Sequence, residues 1–538
     1  MTTTEIETPF KRIAAIDLGT NSFHAVIVDI YPDGSFRTVD KLKEMVILAE
    51  KGMSDHLSEE AMTRGLDALK RIKFLCDSQE VESILAFATS AIREAKNGGE
   101  FIQRIYAETQ IKARAIPGKR EAQLIGYAVR HSISLNDEMV LMVDIGGGSV
   151  EFIIGNHKEM LYHNSLKLGV ARMSARFVEN DPISGKEIKK LEKHFRKKLK
   201  KVFKTAEKHE VKTIIGSSGT MENIGAMVAS RQSLPADITL NELVFETSAF
   251  QELYKDFIQM DRKQRSNIKQ LDEKRIDIIN PGMVLVKLLL EKLPIEHIKI
   301  SEAALRDGMI LEFIQKEQPK LAMVQDFPHP RKRSIYELLR KCNWMEEHSA
   351  HVAKMALQIF DVFKKELELE EKDRELLEYA CLLHDIGYYV SYRKHHKHAL
   401  YLIRNSDLRG FTEDEINIMA HVARYHRRST PSKKRHKFYK KLRKSVRKKI
   451  RKLSAILRIA DGLDRSHYQN VQKLEIENEQ KQIRFLIKTM ADPELEIWGA
   501  TRKAGLLEKV TGKKLEIFSL EKPDEMEPEQ PLTAKNSV

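Results

Sequence analysis

Residues 12–30 read RIAAIDLGTNSFHAVIVDI, and residues 140–154 read VLMVDIGGGSVEFII. Each is an apolar, β-branched run, a short Gly/Ser-containing turn and a second apolar run, which predicts strand, tight turn, strand. Superposed, Asp17 meets Asp144, Gly19 meets Gly146 and Ser22 meets Ser149, each 127 positions apart. Thr20 and Asn21 then face Gly147 and Gly148, and His24 faces Glu151. A spacing of that size points to a duplicated domain, since solenoid repeats run only about 20–50 residues. Amphipathic segments at 58–76 and 185–209, each read as one helix, alternate with short apolar runs at 84–88 and 213–215, which predicts an α/β fold.

The chain has 538 residues, enough for three or four domains at roughly 100–200 residues each. With 42% hydrophobic and 32% charged residues it is globular rather than disordered. The net charge of +14 calls for a surface that meets anions. Cys76, Cys342 and Cys381 are far apart and form no CxxC, which argues against a disulfide framework or a cysteine zinc site. No stretch reaches the ~20 apolar residues of a membrane span, and the first residues lack an apolar signal core. The expectation is a cytoplasmic protein with no membrane partner.

The chemistry starts at the two turns. Gly, Ser and Thr between strands let backbone N–H groups converge on a phosphate. Asp17 and Asp144 precede those turns, and a carboxylate beside a phosphate is repulsive unless a cation lies between them. Asp144 therefore calls for Mg²⁺ or a similar hard ion, and Glu151 alternates on the next strand toward the same place. A glycine turn in an ordinary hairpin would look similar singly; the pairing of the two makes the signal. At 88–97 a strand ends in Thr89-Ser90 and a helix begins, with Arg93 on its first turn, a second anion site. At 216–225 the run GSSGTMENIG predicts another strand, Gly/Ser loop and helix, with Ser218, Gly219 and Thr220 in the loop. At 116–126 the run IPGKREAQLIG places Glu121 at the head of a helix. There it could direct a water or merely favour the helix dipole. No GxxxxGK[ST] or GxGxxG stands in the sequence.

Together the stretches AAIDLGTNSFHAVI, AFATSAIREAKNG, IPGKREAQLI, MVDIGGGSVEFIIG, SLKLGVARM, GSSGTMENI, RIDIINPGM and SEAALRDGMI, in that order over residues 12–310, resemble the exopolyphosphatase/guanosine-pentaphosphate phosphatase family. The resemblance implies a duplicated actin-like (acetate kinase/sugar kinase/actin) two-lobe fold. Its lobes would span 10–133 and 134–317, with a helical domain at 330–472, a small α+β domain at 473–522 and a flexible tail at 523–538. The proline-containing run 318–333 would be a linker. The resemblance implies hydrolysis of a terminal phosphate with Mg²⁺ or Mn²⁺. Glu121 would be the catalytic glutamate, Asp144 and Glu151 the metal or water acids, and Arg93 the phosphate arginine. Asp17, Thr20, Asn21, Ser22, Gly146, Gly147, Gly148, Ser149, Ser218, Gly219 and Thr220 would complete the phosphate cradle. Two positions depart from the family pattern: Arg120 precedes Glu121 where a second glutamate is common, and Val150 stands where threonine is common. The second departure would remove a hydroxyl beside the metal acids. The resemblance also implies a homodimer.

The later half is histidine-rich and helical by periodicity. His348, the pair His384-Asp385, and Asp461 in RIADGLDRSH form an H…HD…D pattern, a ligand mix suited to a divalent metal. It resembles an HD phosphohydrolase domain. A second divalent metal there would serve a separate phosphomonoesterase or nucleotidase; a scaffold that keeps only the helices would carry the same residues. His395, His396, His398 and the run at 423–428 add imidazoles that could be extra ligands or phosphate contacts; the favoured expectation is a solvated surface. Leu474 to Leu486 predicts two strands about a polar turn, 493–510 a helix and 514–520 a last strand. The run 433–452, KKRHKFYKKLRKSVRKKIRK, carries thirteen Lys/Arg in twenty positions and reads as one amphipathic helix with a cationic face. A polyphosphate track suits it better than a nucleic-acid patch, since both polyanions bind by counterion release. The activity expected is exopolyphosphatase; the alternatives are the 5′-phosphohydrolase of guanosine pentaphosphate and a catalytically idle polyanion-binding regulator.

Overall fold

In β1 (Lys11–Leu18) residues alternate between two apolar faces: Ala14, Ile16 and Leu18 on one, Ile13 and Ala15 on the other. A strand apolar on both faces belongs inside a sheet covered on both sides. The computed structural model, which describes residues 9–32, 34–48, 55–234, 239–317 and 330–520, places it there. With β2 (Ser22–Ile30), β3 (Phe36–Met45), β4 (Ser83–Ala88) and β5 (Ala113–Ala115) it forms a sheet of order β3-β2-β1-β4-β5. β1 pairs antiparallel with β2 and parallel with β4.

The second sheet repeats that order. It holds β6 (Val140–Ile145), β7 (Val150–Gly155), β8 (Met160–Leu166), β9 (Thr213–Ser217), β10 (Val244–Glu246) and β11 (His297–Ile300). Its order is β10-β11-β9-β6-β7-β8, so β8-β7-β6-β9-β11 matches the first sheet strand for strand and β10 adds an edge. The expected duplication is therefore present in topology as well as in sequence.

Three apolar cores follow from the alternation. Ile16 and Leu18 pack with Leu66, Leu69 and Phe101 on one side of the first sheet. Val143, Ile145, Val150 and Phe152 pack with Phe195, Met221 and Leu285 on one side of the second. The third core is shared: Ile13, Ala15 and Phe87 meet Met142, Ile153 and Ile215 through the helices Gly118–Ser132 and Leu305–Glu317. Two residues beyond these inward positions stand Asp17, Thr89, Asp144 and Ser217. Strand parity alone turns all four toward the shared side.

Gly308 sets the distance between the two shared helices. A methyl group there would run into the Leu124 carbonyl, a backbone atom that cannot rotate away. Gly308→Ala should cost about 1–3 kcal/mol, the usual range for overpacking, and should lower activity by displacing the helix that carries Glu121. Thermal unfolding and phosphate release check both parts.

Residues 1–333 with 409–412 form one unit, and 334–408 with 413–538 another. In the second unit, helices Glu346–Phe363, Glu371–Leu383, His395–Arg404, Glu413–Arg424 and Lys444–Gly462 precede a sheet of β12 (Val471–Asn478), β13 (Gln482–Thr489) and β14 (Lys514–Ser519). The architecture is the expected one: a duplicated actin-like α/β unit, a helical region and a small sheet. Among the described residues no helix is long and apolar enough to cross a membrane. All three cysteines are free and buried.

Several local expectations fail. The segment 185–209 is two helices, Gly185–Lys198 and Lys200–Lys208, broken at buried Leu199, where no Gly or Pro marks the break. The segment 493–510 is also two, Glu494–Thr501 and Gly505–Thr511. No loop separates β9 from the helix Ser218–Arg231; Ser218 makes the turn alone at φ +70°. The tail 523–538 and residues 318–329 of the expected linker lie outside the described residues.

The basic run is not one helix either. A turn over 433–435 leads to Lys437–Lys441, Leu442 and Arg443 break the rise, and Lys444–Gly462 follows. The Arg447 guanidinium caps the first piece through the Leu442 and Lys440 carbonyls. Arg443 pairs with Asp414, Lys449 with Asp373 (2.8 Å) and Lys452 with Glu368 (3.3 Å), so part of the cationic face is neutralised internally.

Candidate active site

The two turns are built alike. Gly19 N–H donates to the Ser22 carbonyl at 3.2 Å, and Gly146 N–H donates to the Ser149 carbonyl at 3.1 Å. β1 and β2 pair Asp17 with His24, and β6 and β7 pair Asp144 with Glu151. The turns also approach each other, with Asn21 packing beside Gly147. Thr20 Oγ1 and Ser90 Oγ lie 3.0 Å apart, which ties the first turn to the start of the helix Ser90–Glu94.

In the glycine turn the carbonyls are consumed from behind. Gly146 O accepts from Val170 N–H, Gly147 O from Ala171 N–H and Gly148 O from the Arg172 Nε. That helix start can come so close because residue 169 is glycine: a side chain there would meet the Gly147 carbonyl and the Gly148 backbone at 2.5 Å. Arg172 Nη2 then reaches Glu94 at 2.8 Å, so one residue braces the glycine turn and the end of the Arg93 helix together.

Four carboxyl groups converge on the shared side. Glu121, in the first turn of Gly118–Ser132, is buried and accepts from Arg93 Nη1 at 2.7 Å; the same guanidinium donates to Ile116 O at 3.0 Å. Burial pushes the Glu121 carboxyl up to about 7, against the opposing charge of Arg93, while the charges of Asp17 and Asp144 push it further up. Asp144 is raised to about 6 chiefly by burial, although Ser217 Oγ donates to its Oδ2 at 2.9 Å. Glu151 is raised well above its ordinary value by burial and by its Glu121 and Asp144 neighbours, with Ser165 Oγ donating to its Oε1 at 2.6 Å and the Ser149 hydroxyl bonding it too. Asp17, raised to about 6 by burial, has an Oδ1 sealed from water without a hydrogen-bond partner.

The lobe-one counterpart of Glu151 is His24. Burial, with Arg306, Lys43 and Arg275, drives its ring down to about 3, so it is neutral, and Ser22 Oγ binds its Nε2 at 2.7 Å. The Ser22 hydroxyl is thus occupied by a neighbour. Thr220 is fully buried, its Oγ1 accepting from Arg275 Nη1 at 2.9 Å, and the Arg275 guanidinium also lies against Gly219. Ser218 Oγ reaches the Ile145 carbonyl at 3.4 Å and also bonds the Asp144 carboxylate.

Val150 does not disturb the acids. It lies in the second lobe's own core, while Glu151 beside it points to the opposite face, so a hydroxyl at 150 would point away from Asp144. Arg120 pairs with Glu312 on the facing helix and acts as a brace. Sequence reasoning missed Gly169, Arg172, Ser165, Ser217 and Arg275. Ser165, Gly169 and Arg172 sit in the quoted SLKLGVARM stretch, and the glycine three residues past the end of β8 was the available signal.

In the second unit three of the four expected ligands group together. His348, His384 and Asp461 place one ligand atom each within 4.8 Å of one another. Asp385 groups instead with His395 and His426. Those two and His396 are buried, which corrects their expected surface position. The correct signal was helical: His395, Ala399 and Ile403 share one face, and all are buried.

Comparisons with known proteins bear on the family. The profile described as "Ppx/GppA phosphatase family" matches residues 26–317, and "Ppx/GppA phosphatase, domain III" matches 331–496. An exopolyphosphatase from Cytophaga hutchinsonii is 32% identical with a TM-score of 0.54, over 57% of this chain and 98% of that one. The Ppx/GppA family member of Aquifex aeolicus is 28% identical with a TM-score of 0.50, over 57% of this chain and 99% of that one. With the first profile alone spanning more than half of the sequence, the chain belongs to the Ppx/GppA phosphatase family.

Proposed function

We propose that this phosphatase is an exopolyphosphatase, which removes the terminal phosphate of inorganic polyphosphate as orthophosphate. The observation that carries the reading is the Glu121–Arg93 pair: a candidate base with a pKa near neutrality held 2.7 Å from a phosphate-class arginine, among the two anion turns. The glycine turn offers backbone N–H groups to the anion, because its carbonyls are spent on the Val170 helix start. Arg93 and Arg275 supply charge.

The carboxyl set fits a hard divalent cation. Asp144 and Glu151 are buried beside each other and mutually repulsive, and the sealed Oδ1 of Asp17 lacks a partner. Mg²⁺ commonly takes one or two carboxylates, leaving its remaining positions to water and substrate phosphate. Asp144 and Glu151 would hold it, and it would neutralise charge on the terminal phosphate. Glu121 takes the proton of the attacking water. The water oxygen forms the new bond to phosphorus, the anhydride bond breaks, and the shortened chain leaves as an already acidic phosphate that needs no protonation. Ser165 and Ser217 fix the carboxylates that face the phosphate.

The exposed Lys433, Lys434, Arg435, Lys440 and Lys441 offer the long polymer a further contact outside the cleft. End-labelled polyphosphate tests the reading. Release of labelled orthophosphate as the first product, with the longest chains shortening one phosphate at a time, is expected. Internal fragments as first products would sink it. Faster release from guanosine pentaphosphate at equal concentration would move the assignment to the nucleotide, and release from neither would leave a polyanion-binding regulator.

A further inference from the structure

Helices Gly185–Lys198 and Lys200–Lys208 carry ten lysines and one arginine against three glutamates. At about 100° per residue their apolar positions fall on one side. Leu191, Phe195, Leu199, Val202 and Ala206 are sealed in the core beside Val143, Ile145 and Phe152. The lysines take the other side. Lys186, Lys189, Lys190, Lys193 and Lys197 stand opposite Leu191 and Phe195, while Lys200, Lys201, Lys204 and Lys208 stand opposite Val202 and Ala206. All ten, Lys198 included, are exposed, and among the described residues none is ion-paired to a carboxylate. Lys201 rests over the Tyr162 ring, 5.7 Å from its centroid.

The glutamates do little to neutralise this face. Glu187 is buried in its own helix cap, accepting from Glu179 N–H at 2.6 Å and Ser184 N–H at 2.7 Å. Glu192 is taken by Lys287 at 2.8 Å, and Glu207 alone stays exposed. Lys186 and Lys190, Lys193 and Lys197, and Lys200 and Lys204 are like-charge pairs four residues apart, each unfavourable to its own helix. The basic run of the second unit differs, since Arg443, Lys449 and Lys452 have acidic partners there.

The lysine face also looks away from the phosphate chemistry. Its helices cover the side of the second sheet that holds Val143 and Phe152, whereas Asp144 and Glu151 alternate to the other side. A phosphate chain held at Glu121 lies against that other side, so the lysines belong to a second polyanion.

Four features select it. The apolar side of both helices is consumed in the core, which leaves nothing to insert into a lipid surface. No large apolar or aromatic side chain is exposed between 185 and 208, so unpaired bases find no stacking platform. Arg196, the single arginine, is engaged by Glu291 and Glu192, so no guanidinium is left to read base edges. A second copy of the chain would set like charge against like. A duplex backbone needs only point charges, because its affinity comes from counterion release. The first helix is about 21 Å long, and over that length a duplex presents about a dozen phosphates.

We propose that the outer face of helices Gly185–Lys198 and Lys200–Lys208 binds double-stranded nucleic acid without regard to sequence, holding the phosphatase on a duplex while the cleft on the other side of the sheet stays open.

The test uses the full-length chain without divalent ions and duplexes of about 20 base pairs, long enough to cover both helices. DNA and RNA duplexes of unrelated sequences are followed by fluorescence anisotropy between about 50 and 200 mM salt. Binding should be independent of sequence, and log affinity should fall with log salt at a slope of about −5 or steeper. The duplex held more tightly names the source, and either one supports the surface. Lys190→Gln, Lys193→Gln, Lys197→Gln and Lys204→Gln combined in one chain should flatten the slope by about 3–4 and weaken binding about 10²-fold or more at about 100 mM salt. Lys→Arg at the same four positions should bind as wild type, because the charge is kept. Both variants should unfold at the wild-type temperature or above it, which separates lost binding from lost folding and does not depend on the cleft's activity. Equal affinity in wild type and the four-glutamine chain, or binding of neither duplex at about 50 mM salt, would overturn the proposal. So would capture by phosphatidylserine vesicles alone, which would make the face a membrane contact. Displacement of the duplex by long-chain polyphosphate at a far lower phosphate concentration than by unlabelled duplex would assign the lysines to polyphosphate and overturn it too.

Discussion

Glu121→Gln is expected to lower kcat for phosphate release from polyphosphate by about 10²–10⁴-fold, the range a positioned general base supplies, while leaving KM unchanged or lower. Glutamine has the same shape and still offers an oxygen to Arg93 Nη1, so the helix start and the 2.7 Å contact survive. What disappears is the negative charge that balances Arg93. The freed guanidinium then holds a phosphate more strongly, so binding does not suffer. Arg93→Gln should do the reverse in part, raising KM because the phosphate loses its charged donor. The pH profile gives a second check. Glu121 acts only when ionised, so kcat/KM rises with pH toward about 7, and a cation on Asp144 moves that limb to lower pH by stabilising the carboxylate. The limb should vanish from the residual activity of Glu121→Gln. A kcat near wild type in the variant would remove Glu121 from the chemistry and shift attention to the second unit.

The part of this site that the sequence made legible is the part encoded locally. Asp17-to-Ser22 and Asp144-to-Ser149 each fix their own turn, and the same Gly N–H to Ser carbonyl bond closes both. Glu121 was readable as a helix-head carboxylate, though its burial was not. Val150 was misjudged for want of strand parity: beside Glu151, it had to face the other way. The unread part depends on distant pieces of chain meeting. Arg275 reaches Thr220 across 55 positions, and Arg172 reaches Glu94 across 78; a single arginine in either helix carries no local mark of that. His395 and His426 were hidden by neighbouring lysines and arginines, whose charge suggested solvent. The burial of Ala399 and Ile403 on the same helical face outweighs that charge. The breaks at Leu199 and Leu442 had no Gly or Pro to announce them.

Asp144→Asn separates the metal argument from the base argument, because it should move activity and stability in opposite directions. Asparagine keeps an oxygen for the Ser217 hydroxyl, so the strand end and its hydrogen bond remain. The negative charge that Asp17, Glu121 and Glu151 repel is gone. Asp144 has its folded pKa raised, to about 6, so it binds a proton more tightly when folded than when unfolded. Its contribution to stability therefore falls as pH rises from about 4 through 6, and at pH 7 the ionised group is a cost of about 1–3 kcal/mol. Without divalent ions, Asp144→Asn should unfold at a temperature equal to or above wild type. With Mg²⁺ the order reverses, because the wild type gains stability by binding the ion and the variant, with one carboxylate fewer, does not. Phosphate release should fall about 10²–10⁴-fold, corresponding to the several kcal/mol that a bound cation contributes at a phosphoryl centre. Asp385→Ala serves as the control: its lesion is in the second unit, so it should retain the Mg²⁺-dependent rise in the first unit's unfolding temperature. If Asp144→Asn still gains stability from Mg²⁺ and still releases phosphate at the wild-type rate, the cation does not sit on Asp144, and the repulsion among the four buried carboxyl groups is relieved by protons instead.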